Sequence, residues 1–556
     1  MSPRVERTDI CIIGTGAAGG ILAYRLAMAG RDVLSLEQGD EIRDDYFTNG
    51  FSPEQDEHFG IAPDKPWPVP TSDAYFDENA QAARLYARAN TTSTTQQSSA
   101  VFRNRQVFRL NGKQNLWAGV SLRYSERDFK ARDFGDGDLN WPIGYDDLAP
   151  HYTAIERLIG VCGTREGIAE LPDGEFLPSL PMRPIDNYLL SALSGLRDTG
   201  IRAIPNRKAI ETRPEAANVC RQCGLCVHGC RTGSIYKFSS RLLPLIAGRP
   251  NYQIRYGTKV IALRRSPCSN RIEMAECLDT RTRETFTIRA NVFVVAAGAL
   301  ETARVLLNSH DEPNPNGLAN SSGLVGRGLQ DNVRVMTSGS LWKFAGQKPN
   351  YPGGVGDHLL IPRFLFEPGD FRGGFQVQVG HTLPWLPFYL EPMRRIPARL
   401  KDYIARRLFC TYLGLIFFGK PTVQADNRLT VSDRRDDYGV PQVDVHYRWG
   451  DNDLKMQRAM ADWGDKIMKA ASAIGVSHDV DGIPGKGIHY GGTCRMASTR
   501  GEGVVGGDCR TFDHPNLYLC DGGIMPDLSE KNPTLTIMAL ANRLAETLVQ
   551  SRTEIS

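Results

Sequence analysis

The chain has 556 residues, more than a single hydrophobic core usually serves, so two or more structural domains are expected. Its 66 basic and 63 acidic residues leave a net charge of +3, a balance that argues against a nucleic-acid partner, and 41% hydrophobic with 23% charged residues is the composition of a folded chain rather than a disordered one. The longest apolar run, CTYLGLIFFG at 410–419, is about half of what a bilayer-spanning helix needs, so no transmembrane segment is expected.

The opening MSPRVERTDICIIG lacks a basic n-region followed by an apolar stretch and a small-residue cleavage site, which predicts a cytoplasmic protein. From Thr8 to Asp40 the pattern reads as strand, tight turn, helix, strand. The apolar run Ile10–Ile13 feeds Gly14-x-Gly16-x-x-Gly19, and Ile21, Leu22, Leu26 and Met28 then predict a helix with one apolar face. This is the dinucleotide-binding fingerprint in its strand–turn–helix setting. Gly14 makes the turn, Gly16 lets the backbone approach a pyrophosphate at the helix N-terminus, and Gly19 lets helix and strand pack closely. Ala18 belongs to the same turn. Glu37, ending the second apolar run, is placed to accept hydrogen bonds from an adenosine ribose. The fingerprint alone does not separate FAD from NAD.

Further along, NVCRQCGLCVHGCRTGSIY (218–236) carries Cys220, Cys223, Cys226 and Cys230. A reducing compartment makes clustered thiols metal ligands or catalytic groups rather than disulfides, and Cys-x2-Cys-x2-Cys-x3-Cys is the bacterial ferredoxin spacing. Here Arg231, not proline, follows the last cysteine, and no second run supplies further ligands. Three readings stay open: a single [3Fe-4S] or [4Fe-4S] cluster, a closed tetrahedral zinc site, or no metal. His228 within the run is read as lying outside the ligand set, and the other eight cysteines as small buried hydrophobes. YGTKVIAL (256–263), with Val260, and NVFVVAAGALETARVLLNS (291–309) predict two more strands, the second ending near Gly298 before a helix. RRIPARLKDYIARR (394–407) predicts a basic amphipathic helix. HYGGTCRM (489–496) precedes a last unit, NLYLCDGGIMPDLSEKNPTLTIMALANRLAETL, with a strand, the acid Asp521 beside Gly522, a loop holding Asn532, Pro533 and Thr534, and an apolar helix.

In this order, AAGALETARVLLNS, VGRGLQDN (325–332), HYGGTCRM and CDGGIMPDLSEKNPTLTIMALA resemble the glucose–methanol–choline (GMC) family of flavoprotein oxidoreductases nearly end to end. The resemblance implies an α/β fold, α+β overall: a discontinuous Rossmann-like FAD-binding domain drawn from 1–50, 200–330 and 485–556, with an inserted β-sheet/helix substrate domain at 331–484. Residues 51–199 would hold a flavin loop and connecting region, with the cysteine run adjoining. It also implies that the first residue of HYGGTCRM, His489, is the catalytic base and that Asn532 is its partner. A neutral imidazole can take a hydroxyl proton as hydride leaves carbon, and an asparagine can donate to the substrate oxygen. RLNGKQNLWAGVSLRYSERDF (109–129) resembles the family's Gly-Gly flavin loop, with Asn111 in place of the first glycine. Leu116 stands where one branch carries a histidine bonded to flavin, which implies non-covalent FAD, with Asn115 and Ala118 facing the flavin.

These expectations combine as an FAD-dependent dehydrogenase that oxidises an alcohol of a pyranoside, amino sugar or polyol. Its electrons would leave through the cysteine-bound cluster to an outside acceptor, a cytochrome or small partner subunit, and export with such a partner is the alternative to the cytoplasm. The rivals are an oxidase that makes hydrogen peroxide and a lyase of the same fold doing no redox chemistry.

Overall fold

The computed structural model describes residues 5–42, 102, 104–220, 226–230, 232–346, 359–366, 369–380, 397, 400, 407–408, 411–480 and 484–551. The helix expected over 394–407 and Cys223 lie outside this set, apart from single positions of the former.

Val5–Ile13 (β1) runs into Ala17–Met28 (α1) and then Val33–Leu36 (β2), and Tyr145–Ile159 (α2) follows. Tyr252–Arg255 (β3), Thr258–Arg265 (β4), Ile272–Asp279 (β5) and Thr285–Val295 (β6) lead to Ala299–Asn308 (α3). β1 pairs in parallel with β2 on one side and β6 on the other, and β3 extends the parallel edge beyond β2. β5 and β4 continue antiparallel from β6, giving the order β3-β2-β1-β6-β5-β4.

Ile10, Cys11 and Ile12 are fully buried in succession, as a parallel strand covered on both faces requires. The expectation of one apolar face on α1 is corrected: Ala18 to Ala23, Leu26 and Ala27 are all buried. The helix lies between the sheet and the C-terminal helix described below, and small residues let both neighbours approach. A Cβ on Gly20 would come within 2.7 Å of the Phe238 ring, and one on Gly19 within 2.0 Å of the Gly14 carbonyl.

The second large sheet contains Val333–Ser340 (β7), Leu359–Ile361 (β8), Phe375–Gly380 (β9) and Tyr412–Gly419 (β10). It is backed by Asp451–Ala470 (α4) and ends in Ile474–Val480 (β11). The order is β11-β7-β10-β9-β8, with Ile204–Pro205 at the far edge. β7, β9 and β10 alternate strictly. Val333, Val335, Val377, Val379, Leu415 and Phe417 pack with Met456, Met460 and Ile467 of α4, so the even-numbered residues face the other way. The apolar run at 410–419 is thus mainly a strand, β10, and no helix among the described residues is long and apolar enough to cross a membrane.

Leu517–Leu519 (β12) joins the first sheet in parallel beside Phe293–Val295 of β6, and Thr534–Gln550 (α5) packs along α1 and α2. The first sheet is therefore completed by the C-terminal end of the chain. One cleft lies against both sheets, reached by the glycine turn after β1 and by the even-numbered side chains of β7, β9 and β10.

Candidate active site

The cleft has a volume of about 410 Å³, within the range of sites that enclose a small organic ligand. Gly14, Gly16, Ala18, Glu37, Ala118, Val260, Gly298, Asp521, Gly522, Asn532, Pro533, Thr534 and His489 all line it. Gly19 lies behind the wall, where its lack of a side chain serves helix–strand packing.

Asn115 is turned away from the cleft, contrary to expectation. Its Nδ2 donates to the carbonyls of Leu110 (2.8 Å) and Gly112 (2.9 Å), and its Oδ1 accepts from Asn111 Nδ2 at 3.1 Å, so the side chain ties the loop together. Asn111 sits at φ +73°, the left-handed conformation that the family's glycine would adopt and that asparagine tolerates.

The residues present fit FAD. At the N-terminus of α1 no side chain caps the helix and the first turn carries no acid, while a Cβ added at Gly16 would meet nothing within 4 Å. That leaves an open cradle of backbone N–H groups for a pyrophosphate. Glu37 lies at the end of the cleft beyond the glycine turn, where its Oε1 accepts from Gly39 N–H at 2.9 Å and its Oε2 from Thr15; burial raises the pKa of its carboxyl against those bonds. Gln114, at 4% exposure, leaves both ends of its amide without a partner, and Arg304 Nη1 is likewise buried and unsatisfied. Both line the cleft. Buried polar groups normally have partners, so these vacancies are what a bound polar ligand would fill.

At the other end, His489 and Asn532 meet, Asn532 Nδ2 lying 3.3 Å from His489 Nε2. Two flanking amides fix which atom faces which. Asn332 Nδ2 donates to the carbonyls of Gly419 (2.7 Å) and Ser529 (2.8 Å), which leaves its Oδ1 to face His489 Nδ1 at 2.7 Å. Nδ1 must then carry the proton, and Nε2 presents its lone pair. On the far side, Gln378 Nε2 (2.7 Å) and Gln376 Nε2 (3.2 Å) both donate to Asn532 Oδ1, so the NH₂ of Asn532 faces Nε2. Burial, with the charges of Lys113 and Arg334, pushes the pKa of His489 down to about 3, which keeps the imidazole neutral with its Nε2 lone pair unprotonated.

Asp331 holds the backbone beneath this ring: its Oδ2 accepts from Gly487 N–H and its Oδ1 from His489 N–H, each at 2.9 Å. Burial raises its pKa to about 6. The Asn532 loop is anchored by buried charges. Lys531 Nζ donates to both oxygens of Asp128 (2.8 and 3.1 Å) and to Glu530 (2.7 Å), and Lys420 pairs with Asp527.

The strand register supplies the floor: Arg334 lies opposite Phe418, Phe418 opposite Gln376, and Ile416 opposite Gln378. The Phe418 ring lies 5.3 Å from that of His489. Asn332, Asp331, Gln376, Gln378 and Lys113 carried no recognisable chemistry in the sequence.

Cys220, Cys226 and Cys230 pack with Cys162, Ile210 and Ile235 beside Trp117, and Val227 of the same loop reaches the cleft. Lys208 Nζ lies 3.8 Å from Cys226 Sγ, and Ile235 N–H donates to Cys230 Sγ at 3.4 Å. Among the described residues no three His, Cys, Asp or Glu side chains converge to hold a metal ion.

Comparison with known proteins places this geometry among relatives. Family models described as GMC oxidoreductase match residues 201–334 and 423–541. The chain is 29% identical to paromamine 6'-oxidase of Streptomyces fradiae over 97% of its own length and 90% of the relative's. It is 26% identical to the fructose dehydrogenase large subunit of Gluconobacter japonicus over 99% of both. The solved pyridoxine 4-oxidase from Mesorbium loti superposes with a TM-score of 0.60 at 19% identity, over 97% of this chain and 99% of that one, a likeness of fold.

Proposed function

The chain belongs to the GMC oxidoreductase family, and from that premise we propose that it oxidises an alcohol group of a sugar-like substrate with FAD as the immediate oxidant. The observation that carries this reading is the fixed polarity of the amide–imidazole chain from Asn332 through His489 and Asn532 to Gln378.

FAD, when bound, supplies the two-electron acceptor for the hydrogen on the carbinol carbon. The chain's own side chains do the rest. Nε2 of His489, its lone pair directed into the cleft, accepts the hydroxyl proton, while Nδ1–H stays bonded to Asn332. Asn532 Nδ2, whose contact with Nε2 is long at 3.3 Å, turns its donors to the substrate oxygen and stabilises the charge that builds there. Phe418 and Ile416 offer an apolar face, and Gln378 adds a polar group beside Asn532, whose amide Gln376 and Gln378 hold in one orientation. A pyranoside or polyol presents the matching mixture of C–H faces and hydroxyls.

We read the final electron acceptor as an external one, a cytochrome or partner subunit, in keeping with the large-subunit relative. A second reading, molecular oxygen, is favoured by the oxidase relative. Of the cysteine run, the three described members, Cys220, Cys226 and Cys230, do not converge on a common point.

The test is anaerobic addition of methyl glucosides, fructose, polyols and an aminoglycoside to the FAD-loaded protein. Bleaching of the flavin by at least one supports the reading, and no bleaching by any returns the site to a non-redox lyase. Peroxide formation in air then decides the acceptor, and iron and sulfide analysis decides the cysteine run.

A further inference from the structure

Ile488, the residue before His489, sits at φ +65°. A β-branched side chain rarely adopts this conformation, since its Cβ crowds the backbone, and such strain persists only where surrounding contacts over-determine it. Three contacts do so here. Asp331 accepts the N–H groups on either side, from Gly487 and His489, and Lys113 Nζ donates to the Ile488 carbonyl itself at 2.8 Å. Lys113 also lies over the Tyr490 ring, 4.3 Å from its centroid, so one lysine from the flavin-loop region grips the turn on both sides of His489.

We propose that Lys113 is a positioning residue for the oxidation: with Asp331 it clamps Ile488 in the left-handed conformation that aims the His489 imidazole into the cleft, and it sets an ammonium group close to that ring. The inference rests on His489 as the base of the proposed function but is read out without substrate. The charged groups acting on the turn are Lys113 and Arg334, which both oppose protonation of His489, and Asp331, which bonds the turn's backbone. Lys113 is itself balanced by Asp331 and Asp521, and burial draws its pKa down to about 8. The clamp is thus fully charged only below that pH. A neutral side chain at 113 would remove both the ammonium bond to Ile488 and one of the two charges that add to burial in opposing protonation of the ring. Arginine would keep the charge.

The experiment uses FAD-loaded protein and two readouts. In the first, the imidazole ¹⁵N resonances are followed from neutral pH downward, with His489 assigned by its loss in His489→Asn. Lys113→Met and Lys113→Gln are expected to begin protonating His489 about one pH unit higher than the native protein, as removal of a nearby like charge does, and Lys113→Arg is expected to follow the native curve. In the second, melting temperatures are compared for Lys113→Met alone and with Ile488→Gly. Glycine takes the left-handed conformation without strain, so the double change is expected to lose less stability relative to Ile488→Gly than Lys113→Met loses relative to the native chain. An unmoved onset in the neutral variants, or an equal loss of melting temperature in both backgrounds, overturns the proposal. If Lys113→Met does not retain FAD, the titrations of Lys113→Gln and Lys113→Arg carry the same decision. Failure of every sugar to bleach the flavin would instead sink the proposed function and leave these readouts standing.

Discussion

Replacing Asn332 with leucine tests the tautomer lock directly. Asn332 is 1% exposed and makes three bonds, to His489 Nδ1 (2.7 Å) and to the carbonyls of Gly419 (2.7 Å) and Ser529 (2.8 Å). Leucine fills a similar volume and leaves three buried groups unpaired, for a stability loss of about 3–5 kcal/mol. The chemical effect is separable from that loss. The bond to Asn332 favours the Nδ1–H form of the neutral ring by the worth of one buried hydrogen bond, about 1–1.5 kcal/mol, or roughly tenfold. Without it the Nε2–H form, which has no lone pair toward the cleft, becomes populated and the ring loses its anchor, so flavin reduction should slow roughly 10- to 100-fold. Anaerobic stopped-flow bleaching measures that rate, and ¹⁵N shifts of the imidazole report the tautomer. A folded, FAD-loaded Asn332→Leu protein that bleaches within twofold of the native rate, or a native spectrum showing Nε2–H, would refute the reasoning.

Alanine at Gly16 should leave the melting temperature of FAD-free protein unchanged and weaken FAD binding, because its Cβ enters the open cradle; alanine at Gly19 should destabilise the fold itself, because its Cβ would lie 2.0 Å from the Gly14 carbonyl. Flavin titration and thermal melting tell the two apart. Lys420→Met strands Asp527 without its cation in a buried site and should cost about 3–5 kcal/mol in denaturant unfolding, with Lys420→Met/Asp527→Asn recovering much of it. The pH dependence follows from His489. Its pKa of about 3 in the fold lies below the ordinary histidine value, so the unfolded chain binds the extra proton and stability falls as pH drops from about 6.5 toward 3. Between pH 7 and pH 5 this amounts to about 2 kcal/mol, which His489→Asn should remove from the slope. Equal slopes in the two proteins would contradict the neutral, buried imidazole. Asp331, raised to about 6, acts in the opposite sense, favouring the fold below about 3.8 and losing that contribution as pH rises through 6, so the comparison must be made between variants rather than on the absolute curve.

How far the sequence could be read depended on how local each signal is. Gly14, Gly16 and Gly19 declare their expected tasks within six residues; Gly14 and Gly16 line the cleft, and Gly19 packs against the Gly14 carbonyl behind it. His489 and Asn532 were legible through resemblance, since nothing in their own neighbourhoods distinguishes them from buried polar residues. Gln376, Gln378 and Asn332 were not legible. Gln376 and Gln378 reach Asn532 because β9 and β10 pair in one register, and a shift of one residue would turn both toward the α4 core, while Asn332 meets His489 from the position just before β7. Ile488 gives no signal at all in sequence, because an isoleucine before a histidine does not disclose a positive φ. Asn115 and α1 departed from expectation for different reasons: Asn115, placed by resemblance, spends its amide on its own loop, whereas α1, read as having one apolar face, is enclosed by neighbours distant in sequence.

The closing of the first sheet by β12 has a consequence for biosynthesis. β1 emerges from the ribosome long before one of its neighbours, β6 at 285–295, and the acid and helix that finish the cleft, Asp521 and α5, follow only after position 520. At ordinary translation rates of roughly 5–20 residues per second, the nascent glycine turn waits about half a minute to two minutes for the rest of its binding site. Cofactor capture is therefore a late event in synthesis, because the cleft has no complete lining until Asp521 and the first residues of α5 have been made.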